Sequence, residues 1–448
     1  IMIVASLGIA FGAIFSSGMM EVARKGIFNP GEFYFNEIMF IFMAVMITDI
    51  LLLDFFNTLG MPTSTTVSIV FELLGAAVAM SLIKIAADGG TFGDVINYIN
   101  TAKATEIILG ILLSVVVAFS IGAIVQWISR FLLSYDFQRK AKWVAALFGG
   151  VALSAITYFI FMKGIKGTPF AGESYELIGG MKISEFLETQ VISIIGVSVI
   201  FWSIISYLLT TVFKTNIYKL IIAVGTFALA LAFAGNDLVN FIGVPIAAFQ
   251  SFEAWSASGI APTEFSMSVL ATKVPTPTIL LLISGIIMVV TLWLSKKARY
   301  VADTEINLAR EGEAKERFEP NFLSRIIVRF SIMAGTYTRT VIPAPIQKTI
   351  SKRFEKPVIK LNKGKVHELP AFDMVRAAVN LMVAGILISI ATSYKLPLST
   401  TYVTFMVAMG TSLADKAWGS ESAVYRVAGV FNVIGGWFMT ALVAFVAS

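Results

Sequence analysis

The chain has 448 residues, of which 57% are apolar and 14% are charged, and its mean hydropathy is +0.83. A soluble domain carries about 25% charged residues, so this composition excludes a soluble globular protein and indicates that lipid is the main solvent. The absence of Cys and the presence of one His exclude disulfides, thiolate metal sites and His-based catalytic triads. The net charge of +6 does not indicate a nucleic-acid partner, because the basic residues lie mainly in loops, where membrane orientation explains them.

Eleven apolar segments predict helices in the membrane, since one span needs roughly 20 apolar residues. In chain order they are 1–20, 36–58, 62–82, 106–129, 143–162, 190–213, 218–234 continuing to 250, 278–295, 372–394, 397–414 and 423–446. The predicted fold class is therefore an all-α integral membrane protein with about a dozen helical segments. Because the chain begins inside an apolar run, we interpret it as an N-terminally truncated fragment.

A long polar stretch at 296–369 separates the eighth segment from the last three. It contains sixteen Lys or Arg residues and eight Asp or Glu residues, and the positive-inside rule therefore predicts that it is cytoplasmic. Residues 322–345 mix apolar and basic side chains. They predict either a helix lying in the membrane interface or a long disordered loop.

Two stretches of the sequence resemble each other at a constant offset of 335 residues. The matched positions are Pro62 and Pro397, the Ser-Thr-Thr triplets 64–66 and 399–401, and Gly75 and Gly410. Internal repeats are typical of secondary transporters. The break at Gly60–Pro62 favours a turn, so each copy is predicted to be a helical hairpin and the two copies to be inverted. If one segment of each pair crosses alone, the copies are parallel instead.

This repeat predicts how the chain is divided. We expect a first repeat at 1–130 that lacks its N-terminal helix, connecting transmembrane helices at 131–216, and a second repeat at 217–448 that includes the cytoplasmic loop 296–369.

The two Pro-x-Ser-Thr-Thr turns predict an anion site. Pro ends one helix, and Ser or Thr is a good N-cap for the next. A helix start exposes unbonded N–H groups and the positive end of the dipole, which suit an anion without any Lys or Arg. Two such turns from inverted copies can hold one oxyanion near the midplane. The alternative is that the hydroxyls only bond back to carbonyls of their own helices.

A polar cluster interrupts the seventh apolar segment at Asn236, Asp237 and Asn240. A carboxylate at membrane depth costs roughly 3 kcal/mol or more, which favours a functional role. The cluster predicts an interrupted helix whose oxygen atoms bind Na⁺, or an Asp that carries a proton. The alternative is an Asp at a helix end among the lipid headgroups.

The first hairpin carries three further acids, Asp49, Asp54 and Glu72. They either relay protons or pair with polar neighbours across the hairpin. Asn57 and Thr392 are polar residues at equivalent positions, each five residues before the proline of its copy. We expect both to face the predicted site.

Three stretches carry a resemblance to a known family. Residues 235–240, Gly-Asn-Asp-Leu-Val-Asn, resemble Gly-Ala-Asn-Asp-Val-Ala-Asn; residues 391–401 resemble Ala-Thr-x-x-Gly-Leu-Pro-Val-Ser-Thr-Thr; and residues 21–27 resemble Glu-Thr-Ile-Arg-Lys-Gly-Ile. These stretches span both halves of the chain in the family's order, with a large loop before the last hairpin, and the chain therefore resembles the inorganic phosphate transporter (PiT) family.

The resemblance implies uptake of inorganic phosphate with Na⁺ or H⁺ by alternating access, and no enzyme activity. The implied phosphate ligands are Ser64, Thr65, Thr66, Ser399, Thr400, Thr401 and Asn240, and the coupling-cation ligands are Asn236, Asp237, Asn57 and Thr392. It implies no cofactor beyond the coupling ion, and a multi-pass location in the cytoplasmic (inner) cell membrane. Expected partners are phosphate and the bilayer, with a homodimer allowed for and no nucleic acid.

Two departures from the family pattern leave the coupling ion open. The His after Ser-Thr-Thr is Val67 in one copy and Tyr402 in the other, and the acid that many members carry in the helix after the Asn-Asp motif is absent from 1–20 and 278–295. Other hypotheses are a transporter of another oxyanion such as sulfate, and a receptor or scaffold with this fold that does not transport.

Overall fold

The computed structural model describes residues 1–14, 26–137, 141–166, 173–174, 176, 179–272, 277–309, 319–355, 373–393, 398–416 and 422–448. Within these ranges the backbone forms α-helices, short 3-10 turns and isolated bridges, without a sheet, which confirms the all-α prediction. The helices are α1 (Met2–Ile14), α2 (Phe35–Thr58), α3 (Thr65–Asp88), α4 (Val95–Tyr98), α5 (Thr101–Leu133), α6 (Lys142–Lys166), α7 (Ile183–Thr189), α8 (Val191–Thr211), α9 (Ile217–Ser258), α10 (Thr278–Leu294), α11 (Lys296–Ala309), α12 (Phe322–Val341), α13 (Ala344–Arg353), α14 (Met374–Ser393), α15 (Thr400–Ala414) and α16 (Ser422–Ala447).

In the described residues, each of the eleven apolar segments contains a helix. In the described part of the chain, seven helices are long and apolar enough to cross a membrane, or eight if α10 and α11, which meet at an angle of 71°, count as one span. Of the remaining apolar helices, α1 and α15 are shorter, with 13 and 15 residues. The 15 residues of α15 rise about 22 Å, which is less than the roughly 30 Å of a bilayer core. A helix of this length fits the second half of a hairpin whose turn lies inside the membrane.

The predicted interruption at 218–250 is wrong, because α9 is one helix of 42 residues from Ile217 to Ser258. Asn236, Asp237 and Asn240 lie in its middle. Their side chains are hydrogen-bonded by neighbouring helices, as described below, so the polar cluster needs no break in the helix. The alternative of an Asp at a helix end is also wrong, because Asp237 lies in the middle of α9 and is buried in the protein.

The first hairpin consists of α2 and α3. At its open end the Nζ atom of Lys84 lies 3.1 Å from a carboxylate oxygen of Glu37 and donates to the carbonyl of Glu32 at 2.8 Å. At its other end the chain turns at 59–64, where Gly60 has a φ of +64°, a conformation that favours glycine. We call the open end the Lys84 face, which comprises residues 28–37, 84 and 97–101.

The second hairpin consists of α14 and α15, and its turn at 394–397 lies outside the described residues. Its open end is held by Arg130 of α5, whose guanidinium lies 2.7 Å from carboxylate oxygens of both Asp373 and Asp415. We call this end the Arg130 face, which comprises residues 130–137, 373–376 and 415.

The two hairpins open at opposite ends of the bundle. The second hairpin packs against α5, which follows the first hairpin in the chain, and the first hairpin packs against α16, which follows the second. α5 starts at the Lys84 face, where the N–H of Asn100 donates to the carbonyl of Ile27, and α5 ends at the Arg130 face. α15 runs beside α5 in the same direction, since Val407 lies against Gly122 and Asp415 lies against Gln126.

α3 runs in the same direction as α16. Met61 lies against Gly436 near the hairpin turn, and the hydroxyl of Ser448 donates to the carbonyl of Glu72 further along. α3 therefore leads from the hairpin turn to the Lys84 face, while α15 leads from its turn to the Arg130 face. This arrangement confirms the inverted repeats.

The polar stretch contains three helices in its described part, α11 to α13. α12 covers most of 322–345 and packs against α16, so the helical alternative is correct for this stretch. Its place in the membrane interface stays a prediction, as do the division of the chain at 130 and 216 and the cytoplasmic location of the loop. Most of the motif at 21–27 lies outside the described residues.

Candidate functional site

The starts of α3 and α15, which follow the turns of the two hairpins in the chain, meet in the interior of the bundle. The hydroxyl of Thr66, in the first turn of α3, donates to the carbonyl oxygen of Leu398 at 3.1 Å. Leu398 directly precedes the N-cap of α15, and both residues are buried. Two segments that are more than 300 residues apart in the chain therefore form one contact region.

Each turn starts its helix in the same way. The hydroxyl oxygen of Ser64 accepts from the N–H of Val67 at 3.2 Å, and that of Ser399 accepts from the N–H of Tyr402 at 3.1 Å. The N–H groups of the first residues after an N-cap have no intrahelical acceptor. Each Ser hydroxyl also keeps a proton that it can donate. Two positive helix ends thus converge on one place, as expected for an anion site.

The polar residues of α9 lie between the two turns. Asn240 donates from Nδ2 to the hydroxyl oxygen of Thr66 at 2.8 Å and reaches that of Thr65 at 3.5 Å. Thr400 donates to a carboxylate oxygen of Asp237 at 2.5 Å. α9 is therefore hydrogen-bonded to the first hairpin through the amide of Asn240 and to the second hairpin through the carboxylate of Asp237.

Asn236 adds a third link from α9. Its Nδ2 donates to the carbonyl of Leu398 and to Oδ1 of Asp237, both at 2.9 Å. Its Oδ1 is buried and has no hydrogen-bond partner among the described residues. A buried acceptor of this kind normally has a donor or a cation. The Asp237 carboxylate and the Leu398 carbonyl contact Nδ2 of the same amide, so Oδ1 adds a further oxygen ligand that a monovalent cation can use.

The structure shows no hydrogen bond to the site for the three remaining predicted residues among the side chains that it describes. Thr401 is half-buried, and its hydroxyl makes no hydrogen bond in the part of the chain that the structure describes. Asn57 is also half-buried, and within the described ranges its side chain makes no bond to the site. Thr392 lies in the last turn of α14, but its side chain is outside the described residues. The roles of these three residues stay predictions.

Two parts of the site were missed from the sequence. The Leu398 carbonyl is a backbone group, which no residue type identifies. Trp437 of α16 donates from Nε1 to the carbonyl of Pro62 at 3.0 Å and stacks on Tyr402 with ring centroids 3.7 Å apart. Trp437 thus contacts both turns. A signal for it did exist, because an indole N–H in an apolar helix needs an acceptor.

The polar groups of the site are one carboxylate, amides, hydroxyls and a carbonyl. Among the residues that the structure describes, no group of three or more His, Asp or Glu side chains is placed to hold a metal ion. The site therefore offers donors for an oxyanion and, beside them, oxygen ligands for one small cation.

Comparisons with known proteins bear on the family and on the fold of the chain. The model of the phosphate transporter family matches residues 1–302, which include the first hairpin and α9, whereas the second hairpin lies beyond the match. No curated protein matches the sequence. A solved structure titled "The sodium-dependent phosphate transporter" has a TM-score of 0.60 at 16% identity, over 100% of this chain and 87% of that one; this likeness shows the fold. The family comprises transporters, in agreement with the expectation that the chain is not an enzyme. Since the family model covers more than half of the sequence, the chain belongs to the phosphate transporter family.

Proposed function

We propose that this protein carries inorganic phosphate across a membrane by alternating access, coupled to Na⁺ or H⁺. The observation that carries the proposal is the meeting of the two Ser-Thr-Thr turns on Asn236, Asp237 and Asn240 of α9. Family membership supports phosphate as the substrate.

The phosphate would lie against the starts of α3 and α15. The donors there are the unbonded N–H groups of the two helix starts, the hydroxyls of Thr65 and Thr401, and the amide of Asn240. None of these donors carries a full positive charge. Such a site binds an anion and still releases it, as a carrier requires.

Asp237 gives a physical reason for coupling. An ionised carboxylate next to Thr400 repels an oxyanion at the same turn. A cation held by Asp237, Oδ1 of Asn236 and the carbonyl of Leu398 cancels that repulsion, and a proton on Asp237 does the same. Cation binding and phosphate binding then favour each other by the same coupling free energy.

The inverted hairpins supply a route to alternating access. Their turns share one site, and their open ends lie at opposite faces of the bundle. A movement of one hairpin and its partner helix against the rest would expose the site to one face at a time. Placement in the cytoplasmic (inner) cell membrane and assembly as a homodimer remain part of this proposal.

Uptake of labelled phosphate into proteoliposomes tests the proposal, with Na⁺ and H⁺ gradients imposed separately. We expect uptake driven by one gradient, which excess unlabelled sulfate does not abolish. Uptake indifferent to both gradients would contradict coupling, and full competition by sulfate would indicate a general oxyanion carrier.

Two variants test the site itself. Asp237→Asn should remove the response to the ion gradient, and Thr400→Ala should weaken it by removing the hydrogen bond to Asp237. Thr404→Ala is the matched control, since its hydroxyl bonds back to the carbonyl of Thr400 in the same helix at 3.0 Å. If both site variants transport like the control, the assignment is wrong.

A further inference from the structure

A second pair of acids lies inside the first hairpin, away from the site described above. Asp49 of α2 and Glu72 of α3 are each twelve residues from the Glu37–Lys84 pair at the open end. In an antiparallel hairpin this spacing places them opposite each other, about 18 Å from the Lys84 face. Their charges are close enough to act on one another.

Both carboxyl groups are shielded from solvent and lipid. Glu72 is 0% exposed and Asp49 is 4% exposed. Ser68 lies beside Asp49 and donates to Oε1 of Glu72 at 2.6 Å. The second oxygen of Glu72, Oε2, and Oδ1 of Asp49 are buried without a hydrogen-bond partner among the described residues.

Among the residues that the structure describes, no basic group is placed to neutralise this pair. The helices packed against the hairpin include α9, α11 and α16. Lys297 of α11 pairs with Asp54, nearer the hairpin turn. α9 and α16 carry Asp237, Glu253 and Arg426 among their charged residues. Within the described chain, none of these three is among the groups that act on the acids. Ser448, which directly follows α16, donates its hydroxyl to the backbone carbonyl of Glu72 and not to the carboxyl group.

Two ionised carboxylates cannot both persist in such an interior without a positive partner. One proton removes one of the charges. The protonated carboxyl group can also donate its O–H to a carboxyl oxygen that otherwise has no partner. A Na⁺ ion would compete for the same carboxyl oxygens, and the experiment below separates it from a proton.

We propose that Asp49, Ser68 and Glu72 form a proton-binding site in which the two acids share one exchangeable proton. The site belongs to one repeat alone, because the positions equivalent to Ser68 and Glu72 in the second hairpin are Val403 and Val407. Glu72 lies eight residues after Ser64, or about 12 Å along α3, between the phosphate site and the Lys84 face. A proton here can therefore be exchanged as the first hairpin moves. That last step rests on the proposed function.

The proton itself is tested without transport. Infrared spectroscopy of the full-length protein at neutral pH should show the carbonyl band of a buried protonated carboxylic acid. The band should be lost in Glu72→Gln and in Asp49→Asn, and kept in Asp54→Asn. Asp54 is the matched control, because it lies on the same helix, is exposed and pairs with Lys297. Absence of the band from the unaltered protein, or its removal by NaCl at constant pH, would overturn the proton site.

The coupling role is tested in proteoliposomes with two measurements on each variant. Phosphate exchange at equal pH needs the phosphate site alone, whereas accumulation driven by a pH gradient needs the proton to move. We expect Glu72→Gln to keep exchange and to lose accumulation, and Asp54→Asn to keep both. Glu72→Gln that accumulates phosphate like the unaltered protein would overturn the coupling role. Failure of the unaltered protein to exchange phosphate would overturn the proposed function and leave the infrared result standing.

Discussion

Gly75 and Gly410 lie 335 residues apart in the chain and have the same role in the two repeats. Each allows another helix to pass so closely that a Cβ atom would lie 2.1 or 2.2 Å from a backbone carbonyl oxygen. That oxygen belongs to Phe445 of α16 for Gly75 and to Phe119 of α5 for Gly410. The reciprocal packing of the hairpins therefore depends on the absence of a side chain at two matched positions.

Gly75→Ala and Gly410→Ala should each destabilise the protein. A backbone carbonyl cannot rotate away as a flexible side chain can, so the helices must separate, at a cost of about 1–3 kcal/mol for an overpacked position. Thermal unfolding in detergent measures the effect. Gly385→Ala in α14 is the control, because a Cβ there meets nothing within 4 Å, and it should be neutral or slightly stabilising. Equal melting temperatures for all three variants would contradict the close approach.

The helices and the hairpins could be predicted because their signals are local. Apolar length predicts a membrane helix, and Pro followed by Ser-Thr-Thr predicts a turn and a cap. The continuity of α9 could not be predicted from such signals. Asn236 and Asp237 are poor helix formers in isolation, and their partners on the two hairpins are visible only in the folded protein.

Part of the site also could not be predicted from local features of the sequence. Residue type pointed to Thr66, Thr400 and Asn240, since hydroxyls and amides are conspicuous in apolar segments. The carbonyl of Leu398 was not foreseen, because every residue has a carbonyl and only the fold selects one. Asn57 was predicted by its symmetry with Thr392, whose side chain lies outside the described residues, so the roles of this pair stay predictions.

The base of the second hairpin depends on Arg130, which is fully buried. Its Nε and Nη2 donate to the two carboxylate oxygens of Asp415 at 2.8 and 2.7 Å, and its Nη1 donates to Asp373 at 2.7 Å. Removing one partner of a buried pair leaves an uncompensated charge and costs about 3–5 kcal/mol. Asp415→Asn should therefore lower the melting temperature strongly. Arg130→Lys should do so as well, because an ammonium cannot make the two parallel bonds.

The exposed pair of Lys103 and Glu106 is the control for this prediction. Its side chains are 35% and 51% exposed, and such a pair contributes at most about 1 kcal/mol. Lys103→Gln should therefore leave thermal unfolding nearly unchanged. If Asp415→Asn unfolds at the same temperature as Lys103→Gln, the buried network does not hold the hairpin.

Trp437 should position the first hairpin turn. Trp437→Phe keeps an aromatic ring against Tyr402 but loses the hydrogen bond to the Pro62 carbonyl, worth about 0.5–1.5 kcal/mol. We expect a higher phosphate concentration at half-maximal uptake with little change in melting temperature. Trp293→Phe is the control, since its indole bonds to Ser6 at 2.9 Å at an exposed position. A loss of stability without a change in phosphate dependence would make Trp437 a packing residue.

Thr66 is the central link between α9 and the two turns, because its hydroxyl accepts from Asn240 and donates to Leu398. Thr66→Val and Asn240→Ala should each weaken phosphate binding. Together they should cost less than the sum of the single effects, since both remove one shared contact, with a coupling energy of about 0.5–3 kcal/mol. Phosphate titration of the purified variants measures this. Thr226→Val is the control, because its hydroxyl bonds to the carbonyl of Ile222 in its own helix at 2.7 Å. Strictly additive effects would show that the amide and the hydroxyl act separately, and that α9 does not hold the turns together.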